Sequence, residues 1–506
     1  RVAEQELKPK VDILKLGGLA RTVAQILPSF VAPDETPLSD DDVVAYIKSS
    51  PCRLGAAGPD FKGCNKLAVL SDPNKLKTLL ENSRKLCSGD TSGLPCFEMV
   101  NGLGVVTYKA FAKNELLKKA KYDKRGGRII LSEPFYLTFS LMKYLLKRYK
   151  YVTSKQGANG VSIGIVAKSG GFIHAIEQLA GLNTGQELLQ ETDFTEMDIN
   201  DNFEVMSVVK PLLSNDAVAD RLIDYVIGRK NVQLGEEFGT ITIRYGYLPS
   251  GSFITSFMQT LVTIAIKRNY SPKWKILAYG DDGLDGVPRK PDVDAFRRHC
   301  AAFGQVLKYG LDDCGVLKPA DKFWSGEIEF LSMRGATHQG MKVVYCSRAE
   351  KIVKNVSTAE AKNLANAYLT AHLQLKFHPE KKWLKLLDDY RDEVNRLVQF
   401  RDEPIPPPPN AYEVACFWSG AERFSWFDNP DIVSQLNGVN GEATNSDDVK
   451  GAKGEKKAEK ALESVAKAMN NDKHHGVRNK GKIAAGRSHP RQKKQGVKVG
   501  TTFERK

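Results

Sequence analysis

The tripeptide Gly280-Asp281-Asp282 lies between the apolar run Ile276-Leu277-Ala278-Tyr279 and the apolar exit Gly283-Leu284. A strand, a tight turn and a second strand would hold both carboxylates at the tip of a hairpin. Carboxylates forced that close repel one another unless a cation sits between them. Hard oxygen donors with few His or Cys nearby point to magnesium or manganese. Two such ions serve phosphoryl transfer, one activating the attacking oxygen and the other steadying the leaving one. Gly and Asp are also ordinary turn residues, so the tripeptide takes its meaning from its surroundings.

A second acid pair, Asp193 and Asp198, lies upstream. Two adjacent acids cannot encircle two ions alone, and Asp193 would add a carboxylate from the end of a neighbouring strand. Asp198 would lie past that strand, where the chain turns over the site near the sugar of an incoming nucleotide. Between the pairs, Leu248-Pro249-Ser250-Gly251-Ser252 is a loop signal, and the apolar and small residues from Phe253 to Ile266 read as a buried helix. Small hydroxyl residues at such a junction, Ser250 and Thr255 around Gly251, can seat a nucleotide and template without steric cost.

In wording and order these motifs resemble the RNA-dependent RNA polymerases of positive-strand RNA viruses, nearest to the picornavirus and calicivirus type. Asp193 and Asp198 match that family's A motif. Ser250, Gly251 and Thr255 match the B motif, with Gln259 where Asn is usual, and Gly280-Asp281-Asp282 matches the C motif. Lys318-Pro319-Ala320-Asp321-Lys322 is similar to the D motif, whose final lysine is a general acid toward the leaving pyrophosphate; the plainer reading of Lys322 is a loop lysine paired with Asp321. Phe330-Leu331-Ser332-Met333-Arg334 resembles the E motif that braces the primer end. Lys113-Asn114-Glu115-Leu116 with Arg128 resembles the basic F motif over the triphosphate, and Lys121 lies between them. Ala56-Ala57-Gly58-Pro59 resembles the loop where the template enters. The resemblance implies that Asp193, Asp281 and Asp282 hold Mg2+ or Mn2+. It also implies that Arg128, Lys113 and Lys121 neutralise phosphates, and that Asp198, Thr255 and Gln259 read the ribose. Glutamine offers the same donors and acceptor as asparagine with one more methylene. That change touches sugar recognition, not the reaction.

The implied fold class is α+β, a right-hand polymerase with an antiparallel palm sheet. Fingers would occupy 1–185, the palm with an inserted fingers segment 186–345, and a helical thumb with an aromatic return segment 346–430. A disordered basic tail would follow over 431–506. Within these limits, Leu131 to Lys150 reads as a helix. Ile328-Glu329-Phe330-Leu331 and Met341 to Tyr345 read as a hairpin turning between Gly335 and Gly340. Ser357 with Glu360 reads as a capping box that starts a helix. Trp383, Leu386, Leu387, Tyr390, Val394 and Leu397 recur at helical spacing, and Pro404-Ile405-Pro406-Pro407-Pro408-Pro409 should be extended. The aromatics Tyr412, Phe417, Trp418, Phe424, Trp426 and Phe427 would pin the chain back on the body.

Over its 506 residues the net charge is +14, which favours a polyanionic partner. The RNA template, the nascent strand and ribonucleoside triphosphates are the partners expected, with other viral replication proteins beside them. From Lys473 to Lys506 there are eleven Lys or Arg against one acid, Glu504. That tail suits nonspecific phosphate contacts, or is simply solvated. Eight scattered cysteines without a Cys-x-x-Cys pair argue against zinc. No apolar run approaches the ~20 residues that span a bilayer, so other proteins would recruit the enzyme to membrane-bound replication complexes in the host cytoplasm. A start at Arg1 instead of Met points to release from a polyprotein or to a trimmed chain. A reverse transcriptase would typically carry a bulky aromatic in place of Asp198. A degenerate, RNA-binding scaffold would have no need of Asp193, Asp281 and Asp282 together.

Overall fold

The computed structural model describes residues 11–112, 129–165, 170–180, 188–195, 197–235, 239–243, 246–288, 292–307, 318–359, 363–397 and 404–420. The chain divides into two units, Arg1–Gly451 and Ala452–Lys506, and all the described residues belong to the first. The helices are α1 Ile13–Ile26, α2 Asp40–Ser49, α3 Lys66–Ser71, α4 Pro73–Ser88, α5 Phe135–Ser154, α6 Gly171–Ala180, α7 Met197–Asn200 and α8 Phe203–Val209. After these come α9 Ala217–Ile227, α10 Thr255–Tyr270, α11 Val293–Ala301, α12 Ala349–Ser357, α13 Leu364–Leu375, α14 Lys382–Leu397 and α15 Ala411–Ser419. The strands are β1 Phe97–Val100, β2 Leu103–Ala112, β3 Ile129–Ser132, β4 Leu188–Asp193, β5 Lys230–Gln233 and β6 Thr240–Ile243. They continue with β7 Lys275–Tyr279, β8 Asp282–Val287, β9 Lys318–Pro319, β10 Glu329–Phe330, β11 Met333–His338 and β12 Met341–Cys346.

The sheet that matters most runs β7-β8-β4-β9, with every pair antiparallel. Its strands alternate sides with period two, and both faces are covered. Ile276, Ala278 and Val287 share a core with Leu261 and Ile264 of α10. Leu189, Leu277 and Leu284 share another with Phe323, Phe330, Val343 and Trp418. A second sheet runs β1-β2-β5-β6 with β3 also on β2, and is antiparallel except for β2 beside β5. The third is the antiparallel meander β10-β11-β12. The fold is therefore a mixture of helices with mainly antiparallel sheets.

Three local readings shift. The helix expected from Leu131 begins instead at Phe135, because Ile129 to Ser132 pair with β2 as a strand. Pro134 explains the boundary: it disfavours helical backbone at Glu133 and supplies no amide of its own. The next amide, Phe135 N, donates to both carboxylate oxygens of Asp60, at 2.8 and 2.9 Å. The expected hairpin over 327–345 is three strands. Leu331 and Ser332 form a two-residue turn between Phe330 and Met333, and the second turn falls at Gln339-Gly340. Ser357 closes α12 rather than opening a helix, its hydroxyl donating to Lys354 O at 2.9 Å, while Glu360 lies outside the described residues.

Toward the C-terminal side, Leu387 and Tyr390 of the expected stripe are buried in α14. The proline run is tied to that helix by reciprocal bonds between Ile405 and the Asn395 side chain, at 2.9 and 3.0 Å. Helix α15 has only nine residues, too few to persist alone. A capping box of Asn410 with Glu413 starts it, and burial of Phe417 and Trp418 holds it down. Trp418 Nε1 donates to Leu373 O at 3.1 Å. The aromatic return is real at these two residues; Phe424, Trp426 and Phe427 lie outside the described part.

Candidate active site

The turn between β7 and β8 is two residues long, Gly280 and Asp281, with Tyr279 paired to Asp282. Gly280 has a φ of +61°, which glycine adopts without the cost a side chain would bring. Asp193 is the last residue of β4 and lies directly opposite Asp282 in the antiparallel register. Phe194 N donates to Asp281 O at 3.4 Å, which draws the end of β4 against the turn. Three acidic residues thus stand at one rim of the sheet, Asp193 buried and the other two half-buried. Among the described residues no three Asp, Glu, His or Cys side chains already close into a metal cage. Such acids repel one another without a cation, so convergence is what a cation would bring. Oxygen donors with no His or Cys suit a hard divalent ion, and the residues fit one.

Helix α10 is buried along nearly its whole length, as the apolar run implied. Thr260 Oγ1 accepts from Gly280 N at 2.8 Å, and Thr263 Oγ1 donates to Gly280 O at 2.7 Å. Both polar groups of the turn glycine are therefore held by this helix. Gln259, on the same helix, donates from Nε2 to Asp201 Oδ2 at 3.4 Å, and Gln305 Nε2 donates to Asp201 Oδ1 at 3.0 Å. Asp198 falls in the short α7 beyond β4, and its side chain lies outside the described residues.

The loop before α10 is docked on β3. Ser250 Oγ donates to Ile129 O at 2.9 Å. A Cβ on Gly251 would stand 2.4 Å from Leu131 O, so only glycine fits there. Thr255 donates its hydroxyl to Pro249 O and closes the loop on itself. The buried Glu133 accepts from Thr138 Oγ1 at 2.7 Å and from Phe253 N at 3.3 Å, tying the start of α5 to the same loop. Burial pushes its carboxyl above the usual range. Gly58 has a φ of +100°, and a Cβ there would stand 2.3 Å from Glu133 O. The Gly58 and Ser250-Gly251 loops thus converge on the segment 129–133. Arg128, Lys113 and Lys121 lie outside the described residues.

Lys322 sits in a 3-10 turn and pairs with Glu327 at 3.1 Å, not with Asp321. Both side chains are more than two-fifths exposed, and a pair so solvated contributes little to stability. It is easily exchanged for another partner. Phe330 is buried and stacks on Phe172 with ring centroids 6.1 Å apart. Leu331 and Ser332, at the turn, have φ of +53° and +62°.

Sequence reading passed over Lys267, Asp285, Thr192, Asp201 and Glu133. A lysine within an apolar helix, and a third acid in the strand after Asp282, were the available signals. Lys267 and Asp285 are wholly buried and 2.9 Å apart. Burial raises the Asp285 carboxyl, and the Lys267 amine opposes that rise.

A family profile described as viral RNA-dependent RNA polymerase matches residues 97–397, a span with both acid pairs, the loop between them and β10 to β12. The chain belongs to that family. It is an RNA-directed RNA polymerase, a nucleotidyltransferase of viral RNA replication that binds RNA and nucleotides, and its family generally works with divalent metal ions. No curated protein sequence matches the chain well enough to count as a relative. Among the described residues, no helix is long and apolar enough to cross a membrane.

Proposed function

We propose that Asp193, Asp281 and Asp282 hold two divalent ions, magnesium or manganese, and that nucleotidyl transfer takes place at this rim of the sheet. The observation that carries the reading is the register that sets Asp193 against Asp282 beside the Gly280-Asp281 turn. When bound, such ions lower the pKa of the primer 3′-hydroxyl and neutralise the triphosphate. The chain's own residues do the rest. Arg128, with Lys113 and Lys121, neutralises the incoming phosphates. Asp198 and Gln259 face the ribose, and Thr255 with Ser250 and Gly251 shapes the floor beneath it. Lys322 leaves its exposed partner Glu327 to protonate the departing pyrophosphate.

The primer end rests on the Leu331-Ser332 turn. Two consecutive side-chain-bearing residues with positive φ are strained, and strain of this kind gathers at working positions. Phe330 anchors the turn from below, and Ser347 N donates to Ser332 O at 2.9 Å. Gly58 and its neighbours guide the template. In this reading 1–185 form fingers, 186–345 a palm with inserted fingers, 346–430 a thumb and return segment, and 431–506 a basic tail. Other viral proteins would bring the enzyme to membranes in the host cytoplasm.

Asp281→Asn tests the metal site. Incorporation on primed RNA should fall by about a thousandfold or more, since metal-assisted charge stabilisation is worth several kcal/mol. RNA affinity and melting temperature should stay near wild type. Wild-type turnover with magnesium as the only metal would overturn the assignment.

A further inference from the structure

Thr260, Thr263 and Lys267 follow one another three and four residues apart, so they share one face of α10. The two threonines grip Gly280. One turn further on, Lys267 Nζ donates to Thr192 Oγ1 at 2.5 Å and to Asp285 Oδ1 at 2.9 Å. Thr192 and Gly283 are register partners, and they stand next to Asp193 and Asp282, which are the following pair. By strand alternation Thr192, Gly283 and Asp285 face α10, whereas Asp193 and Asp282 face the opposite side. Residue 283 has to be small for this arrangement. A Cβ on Gly283 would stand 2.2 Å from Lys267 Nζ and 2.6 Å from Thr192 Oγ1.

A buried ion pair is a poor way to gain stability, because removing both charges from water offsets most of their attraction. What the pair does supply is direction. Its amine reaches from the helix to β4 at Thr192, in the register step beside the acids, and to β8 two residues further along, at Asp285.

We propose that Lys267, tied to Asp285 and Thr192, is a positioning residue that fixes the register and spacing of Asp193 and Asp282 for divalent-ion binding. The proposal rests on the reading of those acids as metal ligands. The carboxylates repel each other before an ion arrives, and a strand pair free to splay would hold them apart. Because Gln259 belongs to the same helix, the nucleotide-facing amide and the metal-facing turn are carried by one body.

The test uses the full chain and two variants. Lys267→Met with Asp285→Asn removes both charges at similar volume, and Thr192→Val removes the hydroxyl while keeping the pair. Manganese binding is titrated by electron paramagnetic resonance, alongside melting temperature and the magnesium concentration for half-maximal incorporation. The double variant should melt near wild type yet bind manganese roughly tenfold more weakly, the usual effect of losing a group that orients metal ligands. Its magnesium requirement should rise in parallel, with turnover partly rescued by excess magnesium. Thr192→Val should show a smaller shift in the same direction. Folded variants with wild-type manganese affinity would overturn the proposal, and tighter binding would show that the pair acts through charge instead. If the double variant fails to fold, Thr192→Val decides; loss of fold in both assigns the cluster to stability alone. Asp281→Asn separates the two readings. If it leaves manganese affinity unchanged, the metal site itself is wrong; if it weakens binding and the other variants do not, only the positioning role fails.

Discussion

Asp193 and Asp282 face each other because two strands pair in one register, and a slip of a single residue would turn either acid to the other side of the sheet. At this scale single atoms decide. Gly283 admits an amine, Gly251 admits the Leu131 carbonyl, and Gly58 admits that of Glu133. Sugar choice belongs here as well. Asp201, three residues beyond Asp198, already accepts from Gln259 and Gln305, which fixes the amide of Gln259 beside the turn. Asp198→Ala should narrow the preference for ribonucleotides over deoxyribonucleotides by roughly tenfold or more, the worth of a hydrogen bond to a charged group. The measurement is the ratio of incorporation efficiencies for matched nucleotide pairs. An unchanged ratio would remove Asp198 from ribose recognition and leave that task to Gln259.

Among the elements, α10 does the most: one side carries Gln259, another holds the hairpin turn, and its first residue closes the preceding loop on itself. Helices α13 and α14 meet through a different device. His372 is buried, with Nε2 3.1 Å from Asp388 Oδ1, and Tyr368 donates its hydroxyl to the same oxygen at 2.8 Å. Burial pushes the imidazole down to about 4, although Asp388 pulls the other way. An unfolded chain takes up this proton near the ordinary value of 6.5, whereas the folded chain resists until about 4. The stability from a neutral His372 is therefore complete above pH 6.5 and is lost as pH falls toward 4. The loss is on the order of 2–3 kcal/mol. Thermal melts of wild type and His372→Gln at pH 7 and pH 4.5 should show the wild type losing more. Parallel losses would mean that the α13–α14 contact does not titrate.

Across the whole molecule, charge sets the partner. The net charge of +14 is unevenly placed, with a concentration of lysine and arginine from Lys473 onward. Deleting residues 431–506 should preserve turnover on saturating primed RNA, because no matched polymerase motif lies there. It should weaken RNA affinity and flatten its dependence on salt, since fewer counterions are released. A binding titration at several salt concentrations reads this directly. An unchanged slope would leave a protein partner for the tail, and a collapse of turnover at saturation would mean that the tail supports the polymerase body.

The chemistry was legible in the sequence because it depends on local spacing: a turn with two acids, and a glycine loop before an apolar helix. The apolar runs on either side of that turn, and the apolar and small residues from Phe253 to Ile266, also foretold β7, β8 and most of α10. The start of α5 was not legible, since Ile129 to Ser132 become a strand only by meeting β2, and Asp60 caps Phe135 from far away in the chain. Nor was the partner of Lys322, which the local turn places at Glu327 rather than Asp321. The buried Lys267–Asp285 pair was the least visible of all. Each residue alone is a single charge within an apolar stretch, and only packing α10 against β4 and β8 takes both out of water and makes each the other's partner. Residue type and spacing determined which reaction this chain performs; tertiary packing decided how its acids are held in place, because burial and register are properties of elements brought together.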